Sequence, residues 1–282
     1  METKWYNEST IEKIKKLSGV VAVSNQIQKA TEDNIAVASV EESCLVHGAT
    51  PLLSGEIDGA AVVYHAMWDG DIEVIAAVPE KLKTFFLLSG SVIFSANNLQ
   101  YPYSERMCYV ADPRLELSIT SHGKSNLLEI SWALNTQDRE YIAQRAVAFP
   151  LLQLYNDCDH YTEEFKSENT ISRSIIGHRL LPRFCMGSNE CLGPDKVGYH
   201  EHPLIDQFFF SFPENDVDLL IDDRKQSFKG STLIHIPLGS SHGVEISEGK
   251  KMHYIWIDFM IDWKGMDCLD EMHIPVDGKR SI

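Results

Sequence analysis

The sequence predicts an all-β protein built from antiparallel sandwich or barrel units. Three observations carry that expectation. Short strand-like runs recur along most of the chain, bounded by Gly, Asn and Pro turns, with almost no helical periodicity between them. The strand rhythm of the first half returns in the second: Phe85–Phe94 resembles Gln207–Leu220, and Tyr109–Trp132 resembles Ile234–Trp256. A histidine pair spaced for one strand face, His200-Glu201-His202, sits inside the second series.

In chain order, Ser9-Thr10-Ile11-Glu12 reads as a capping box opening a helix over 10–17, which Gly19 can end. Residues 20–47 mix short apolar runs with polar turns. From Gly59 the strands begin: 60–64, 72–78, 84–88 and 92–95, the last two joined at Ser89-Gly90-Ser91. Strands over 107–110 and 115–119 bracket Asp112-Pro113, and a hairpin at His122–Asn126 returns through 127–132. Asn135-Thr136 caps a helix from Gln137 to about Val147, ending before Pro150. Residues 148–175 read as irregular or helical, and 136–172 as the bridge between the two halves. Strands near 180–192, 197–202, 207–212, 217–221, 231–236, 242–246 and 252–260 follow, and Asp222–Lys225 reads as a charged hairpin turn. The expected division is an N-terminal domain, 1–145, and a C-terminal domain, 146–282.

With 41 acidic against 25 basic residues among 282, the net charge of -16 argues against nucleic acid or an anionic membrane surface as partner. The six cysteines are scattered without a CxxC, which suits reduced thiols in a cytoplasmic protein. No apolar signal segment or membrane-length apolar run appears.

The second half offers a metal-ligand set. His200 and His202 share a strand face, Gln207 follows five residues on, and His242 comes after the Pro237-Leu238-Gly239 turn. Three imidazoles and a side-chain oxygen would converge on one divalent ion and leave positions open for substrate.

These residues resemble the cupin family of small β-barrels, in the motifs His200-x-His202-x4-Gln207 and Gly230-x6-Pro237-x-Gly239-x2-His242. Gln207 stands where the family usually has Glu, and the Gly-to-Pro spacing is one residue longer. Residues 180–260 are further similar to the bicupin sugar isomerases that interconvert uronic acids, the 5-keto-4-deoxyuronate and 5-deoxyglucuronate isomerases. Met186–Glu190, Gly193-Pro194, His200–His202, Phe208–Phe212, His242–Val244 and Tyr254–Trp256 carry that likeness. The resemblance implies two jelly-roll (double-stranded β-helix) barrels. The first carries no His-x-His and holds no metal; the second binds a divalent ion, zinc first, with manganese, iron or nickel tolerated by the same ligands.

The activity so implied is ketol isomerisation of a small-molecule sugar acid through an enediolate, as part of carbohydrate metabolism. Such a reaction needs a general base and a group that holds the enediolate. Glu190, in register with Phe184, Met186 and Ser188, is the candidate base; Tyr254 is a second catalytic candidate, and Arg183 a carboxylate grip. Tyr254, Trp256 and Asp258 share one strand face and His253 the other. His65, His122, His160, His178, His235 and His273 read as surface or satisfied core residues. Alternative readings are a cupin dioxygenase and a non-catalytic sugar-binding bicupin. Edge pairing or face packing would make a homodimer.

Overall fold

The computed structural model describes residues 35–40, 47–202 and 204–275. The helix expected over 10–17 and most of the apolar runs of 20–47 lie outside the described residues. The chain divides into two units, one of residues 41–158 and one joining 1–40 to 159–282. The division thus falls at 158/159 rather than 145/146, and β1 (Val37–Ser39) takes its place in the second unit.

The first unit comprises β2 (Gly48–Leu52), β3 (Ala60–Met67), β4 (Ile72–Ile75), β5 (Lys81–Ser89), β6 (Val92–Ala96) and β7 (Leu99–Tyr103). It continues with β8 (Met107–Val110), β9 (Leu117–Ser121), β10 (Ser125–Ala133), helix α1 (Thr136–Gln144) and β11 (Leu151–Leu154). Its strands form a six-stranded sheet, β11-β8-β5-β10-β3-β2, and a four-stranded one, β4-β9-β6-β7. Phe85, Leu87, Phe94, Tyr109, Ile119 and Leu127, contributed by both sheets, make one buried cluster. The turn expected at Ser89-Gly90-Ser91 is present, but it is not a hairpin: it carries the chain from β5 in one sheet to β6 in the other. Gly90 has φ +95° and a Cβ there would meet Lys124 O at 2.4 Å, so only glycine fits. Strand β7, unforeseen in sequence, is set by Asn97-Asn98. Both adopt positive φ between the paired residues Ala96 and Leu99, the geometry that a two-residue hairpin with right-handed twist requires.

The second unit comprises β12 (Asp159–Thr162), β13 (Ile171–Leu181), β14 (Phe184–Leu192), β15 (Asp195–His200), β16 (Ile205–Ser211) and β17 (Asp216–Ile221). It ends with β18 (Arg224–Lys229), β19 (Thr232–Ile236), β20 (His242–Ile246), β21 (Lys251–Met260), helix α2 (Gly265–Met272) and β22 (Ile274–Pro275). The sheets run β1-β19-β16-β21-β14-β13-β12-β22 and β15-β20-β17-β18. Residues 151–154, 159–162 and 171–181 are therefore strands, where the sequence suggested irregular or helical chain. The strand expected over 180–192 is two strands, broken at a turn where Arg183 takes φ +52°.

The two strand orders are the same path traced twice. β3, β5, β8 and β10 correspond to β14, β16, β19 and β21, and β4, β6, β7 and β9 to β15, β17, β18 and β20. The fold is all-β with two cupin-like barrels, each unit a barrel of two facing antiparallel sheets.

Candidate metal centre

The second barrel encloses a polar cavity of about 20 Å³ among otherwise apolar walls. Strand ends and one bulge position its histidines. β15 pairs with β20 in regular register as far as Val197–Val244. A bulge then brings His200 opposite His242, at the last residue of one strand and the first of the other. Gly243 permits the approach, because a Cβ there would stand 2.8 Å from Val197 O. Phe165 stacks on the His200 ring at 3.8 Å between centroids. His202 lies just beyond the strand, its ring 5.0 Å from that of His200 and 5.5 Å from that of His242.

One ligand atom from each of these three residues falls within 4.8 Å of the others. His200 Nδ1–H donates to Gly198 O at 3.0 Å and His242 Nδ1–H to Ser240 O at 3.2 Å. A carbonyl only accepts, so each Nδ1 carries the proton and each Nε2 keeps its lone pair for a metal. Two buried nitrogens, His242 Nε2 and His202 Nδ1, have no hydrogen-bond partner. Burial pushes the His202 imidazole down to about 3 and His242 to about 4, and holds His200 well below the ordinary histidine value, the neighbouring rings adding to the effect at His200 and His202. Neutral, buried, convergent imidazoles with unpartnered lone pairs are the donor set that zinc and its first-row neighbours take.

Gln207 lines the same cavity from β16. Its Nε2 donates to Asp258 Oδ1 at 2.8 Å, which leaves Oε1 as the free ligand atom. Asp258 is buried opposite Gln207 on β21, and burial pushes its carboxyl up to about 7. Tyr254, two pleats along the same strand face, also lines the cavity. Its Oη accepts from Asn189 Nδ2 at 2.9 Å, so its own O–H remains free to donate. Residues Tyr254, Trp256 and Asp258 therefore face inward and His253 outward, settling the face that sequence left open.

Glu190 is elsewhere. Asn189 points into the cavity, so Glu190 points out, accepting from Arg173 at 2.9 Å and pairing with Lys251 at 2.9 Å. Burial raises its carboxyl, but Lys251, His253 and Arg173 outweigh that and hold it down at about 2. A carboxylate so paired is a poor proton acceptor, and it does not line the cavity. Arg183 does not line it either: it sits in the β13–β14 turn and donates to Met260 O at 3.2 Å.

Three further lining residues were not singled out from sequence: Glu163, Lys166 and His273. Glu163 and Lys166 form a buried ion pair, and Lys166 Nζ also reaches Asn189 Oδ1 at 2.8 Å and Ser172 Oγ at 3.1 Å. Burial raises the Glu163 carboxyl, yet Lys166 and His273 bring it below the carboxylate range. His273 Nε2 lies 3.3 Å from Glu163 Oε1, so this histidine belongs to the cavity and not to the surface or the plain core.

No protein-family model matches the chain, and no curated protein matches it in sequence. Solved structures share its fold. An IolB-like protein from Salmonella typhimurium aligns with a TM-score of 0.65 at 10% identity, over 81% of this chain and 94% of that one. The oxalate decarboxylase of Lactobacillus farciminis, in its formate complex, gives 0.62 at 10% identity, over 89% and 91%. A cupin 2 conserved barrel domain protein from Leptotrichia buccalis gives 0.54 at 10%, over 83% and 99%. Likeness at this level of identity is likeness of fold. Among the described residues, no helix is long and apolar enough to cross a membrane.

Proposed function

We propose that the second barrel is a metal-dependent isomerase of a small sugar acid, moving a proton between adjacent carbons. The observation that carries this reading is the sharing of one cavity by the neutral histidine triad, the Gln207–Asp258 pair and the Tyr254 hydroxyl. His200, His202, His242 and Gln207 Oε1 would hold the ion. Glu163 and Lys166 cancel each other, and all four ligands are neutral, so a bound divalent ion supplies an undiminished Lewis acid to a substrate carbonyl. Asp258 replaces Glu190 as the proton carrier: its Oδ1 is oriented by Gln207, and burial outweighs the opposing pull of Lys166 to keep its carboxyl raised, to about 7. The Tyr254 O–H, oriented by Asn189, serves the oxygen on which charge develops. The space beside the histidines admits only the reacting end of a substrate, and the remainder of a sugar acid lies in the mouth of the barrel.

The test has two stages. Elemental analysis of the purified protein beside His200→Ala/His242→Ala should show about one equivalent of divalent metal, lost in the double variant. Metal-loaded protein incubated in D2O with a panel of uronates and keto-uronates should then incorporate solvent deuterium at the carbon next to the carbonyl. Asp258→Asn should retain metal and lose about 10²–10⁴-fold in exchange. A protein that takes up none of Zn, Mn, Fe or Ni refutes the metal centre. Metal with oxygen consumption indicates a dioxygenase, and metal with ligand binding but no exchange indicates a binding protein.

A further inference from the structure

The first barrel has Ile75 and Leu117 at the strand ends where the second has His200 and His242, yet its mouth is open. A cavity of about 400 Å³ opens there, lined by Pro79 from the β4–β5 loop, Pro113 and Arg114 from the β8–β9 loop, Leu134 at the end of β10, and the inner side of α1. By strand correspondence these are the segments that, in the second barrel, surround the histidine triad and lead into α2.

The two mouths differ because their helices do. In α2, Met266 and Leu269 are fully buried in the core of the second barrel. In α1 the one buried residue is Asp138, which closes a reciprocal capping box with Asn135. Ile142 is only partly buried and Ala143 is exposed, so the apolar side of α1 stands over a hollow instead of filling it. The volume lies within the range of ordinary ligand pockets, and the walls are mainly apolar.

Two guanidinium groups mark the lining. Arg114 is held by both oxygens of Asp112, at 2.7 and 2.8 Å, and is locally neutralised. Arg139 is not. It donates to Leu134 O at 3.0 Å and Thr136 Oγ1 at 3.3 Å, neutral acceptors that fix its place while leaving its charge uncompensated. In a chain of net charge -16, a positioned cation beside an apolar hollow selects an anion with a hydrocarbon body.

We propose that the mouth of the first barrel is a binding site for an amphipathic monocarboxylate, its acid group on Arg139 and its hydrocarbon part against Leu134, Ile142, Val147 and Phe149. The site is separate from the metal centre and requires no metal.

The full-length protein, labelled at Ile, Leu and Val methyls, is titrated with 4-phenylbutyrate and with the uncharged 4-phenylbutan-1-ol. The expected result is saturable shifts of the Ile142, Leu134 and Val147 methyls with the acid, about tenfold weaker binding of the alcohol, and the same weakening of the acid in Arg139→Gln. Ala143→Trp, which fills the hollow from an exposed helix position, should abolish the shifts while leaving the melting temperature near wild type. Chelator-treated protein should bind as the untreated protein does. Absence of saturable shifts in the wild type overturns the site. Equal binding of acid and alcohol overturns the carboxylate class. Shifts that survive in a folded Ala143→Trp protein overturn the location; should that variant not fold, the Arg139→Gln titration decides, and unchanged affinity there refutes the proposal.

Discussion

The two barrels set the same strand path around opposite interiors. His200 ends β15 and pairs with His242 at the start of β20; Ile75 ends β4 and pairs with Leu117 at the start of β9. Where Gln207 faces Asp258 across β16 and β21, alignment of Phe85 with Phe209 places Lys83 opposite Ser131. One step further in, Trp256 in the second barrel gives way to Glu129 in the first, bonded to His65 at 3.0 Å and paired with Lys83 at 3.1 Å. A cupin frame therefore does not create a metal site. Imidazoles at two strand ends supply a set that could hold a metal, and an aliphatic pair at the same points supplies none.

The largest expected difference concerns the two lysines. Each carboxylate keeps a histidine beside its lysine, but Lys166 is almost wholly buried against Glu163 whereas Lys83 is 21% exposed. Lys166→Met should cost about 3–5 kcal/mol in urea unfolding, because a buried carboxylate loses its cation. Lys83→Met should cost about 1 kcal/mol or less. Equal losses would erase the contrast between the two ion pairs.

Acid should act next, and through the second barrel. His200, His202 and His242 have folded values depressed below the usual 6.5 or so, to about 3 and 4 for the latter two, so the unfolded chain takes up protons first as pH falls. Stability of the metal-free protein should be full above about pH 6.5 and decline below it. Each imidazole adds up to about 1.4 kcal/mol per pH unit. Asp258, whose value is raised to about 7, works oppositely: its ionisation costs stability as pH rises from about 4 to 7. Urea midpoints at pH 7 and 5 should move apart least in His242→Asn and most in Asp258→Asn.

A smaller effect is expected at Gly187, where a Cβ would come within 2.2 Å of Trp256 Cζ2 and 2.4 Å of Arg173 O. Val63 occupies the corresponding place, opposite Glu129. Gly187→Ala should cost about 1–3 kcal/mol and shift Trp256 fluorescence, as the indole is forced toward the cavity. The smallest is Asn135→Ala, removing the α1 cap in the first barrel for about 1 kcal/mol in thermal unfolding.

Much of this architecture was legible in the chain, and the gaps have physical causes. His200, His202 and His242 were readable because period two and a Pro-x-Gly turn leave few alternatives for their direction. The inward face of β21 was not, because almost every residue from Met252 to Met260 is buried and the strand shows no alternation. The same double burial hid the outward direction of Glu190, whose strand neighbours Phe184, Met186 and Ser188 are also covered. Glu163 lay among acidic residues of similar appearance. Only its i, i+3 relation to Lys166 sets it apart from Glu164, and that pairing acquires meaning once β12 is known to be a strand. Strand β7 escaped because a hairpin with a two-residue Asn-Asn turn lacks the glycine that usually signals one, whereas the Asp222-Asp223 turn was legible and only the returning strand β18 was not.

The pairing of β1 with β19, Val37 opposite Ile234, has a bearing on how the chain comes to be assembled. During synthesis Val37–Ser39 leave the ribosome before any residue of the first barrel, and their sheet partner emerges only after that barrel is complete. The first barrel has all its described strands in one unbroken stretch and can close early. The second must hold one of its edge strands in waiting across that whole interval. A chain begun at residue 159 would accordingly present β19 with a bare edge, a place where aggregation starts.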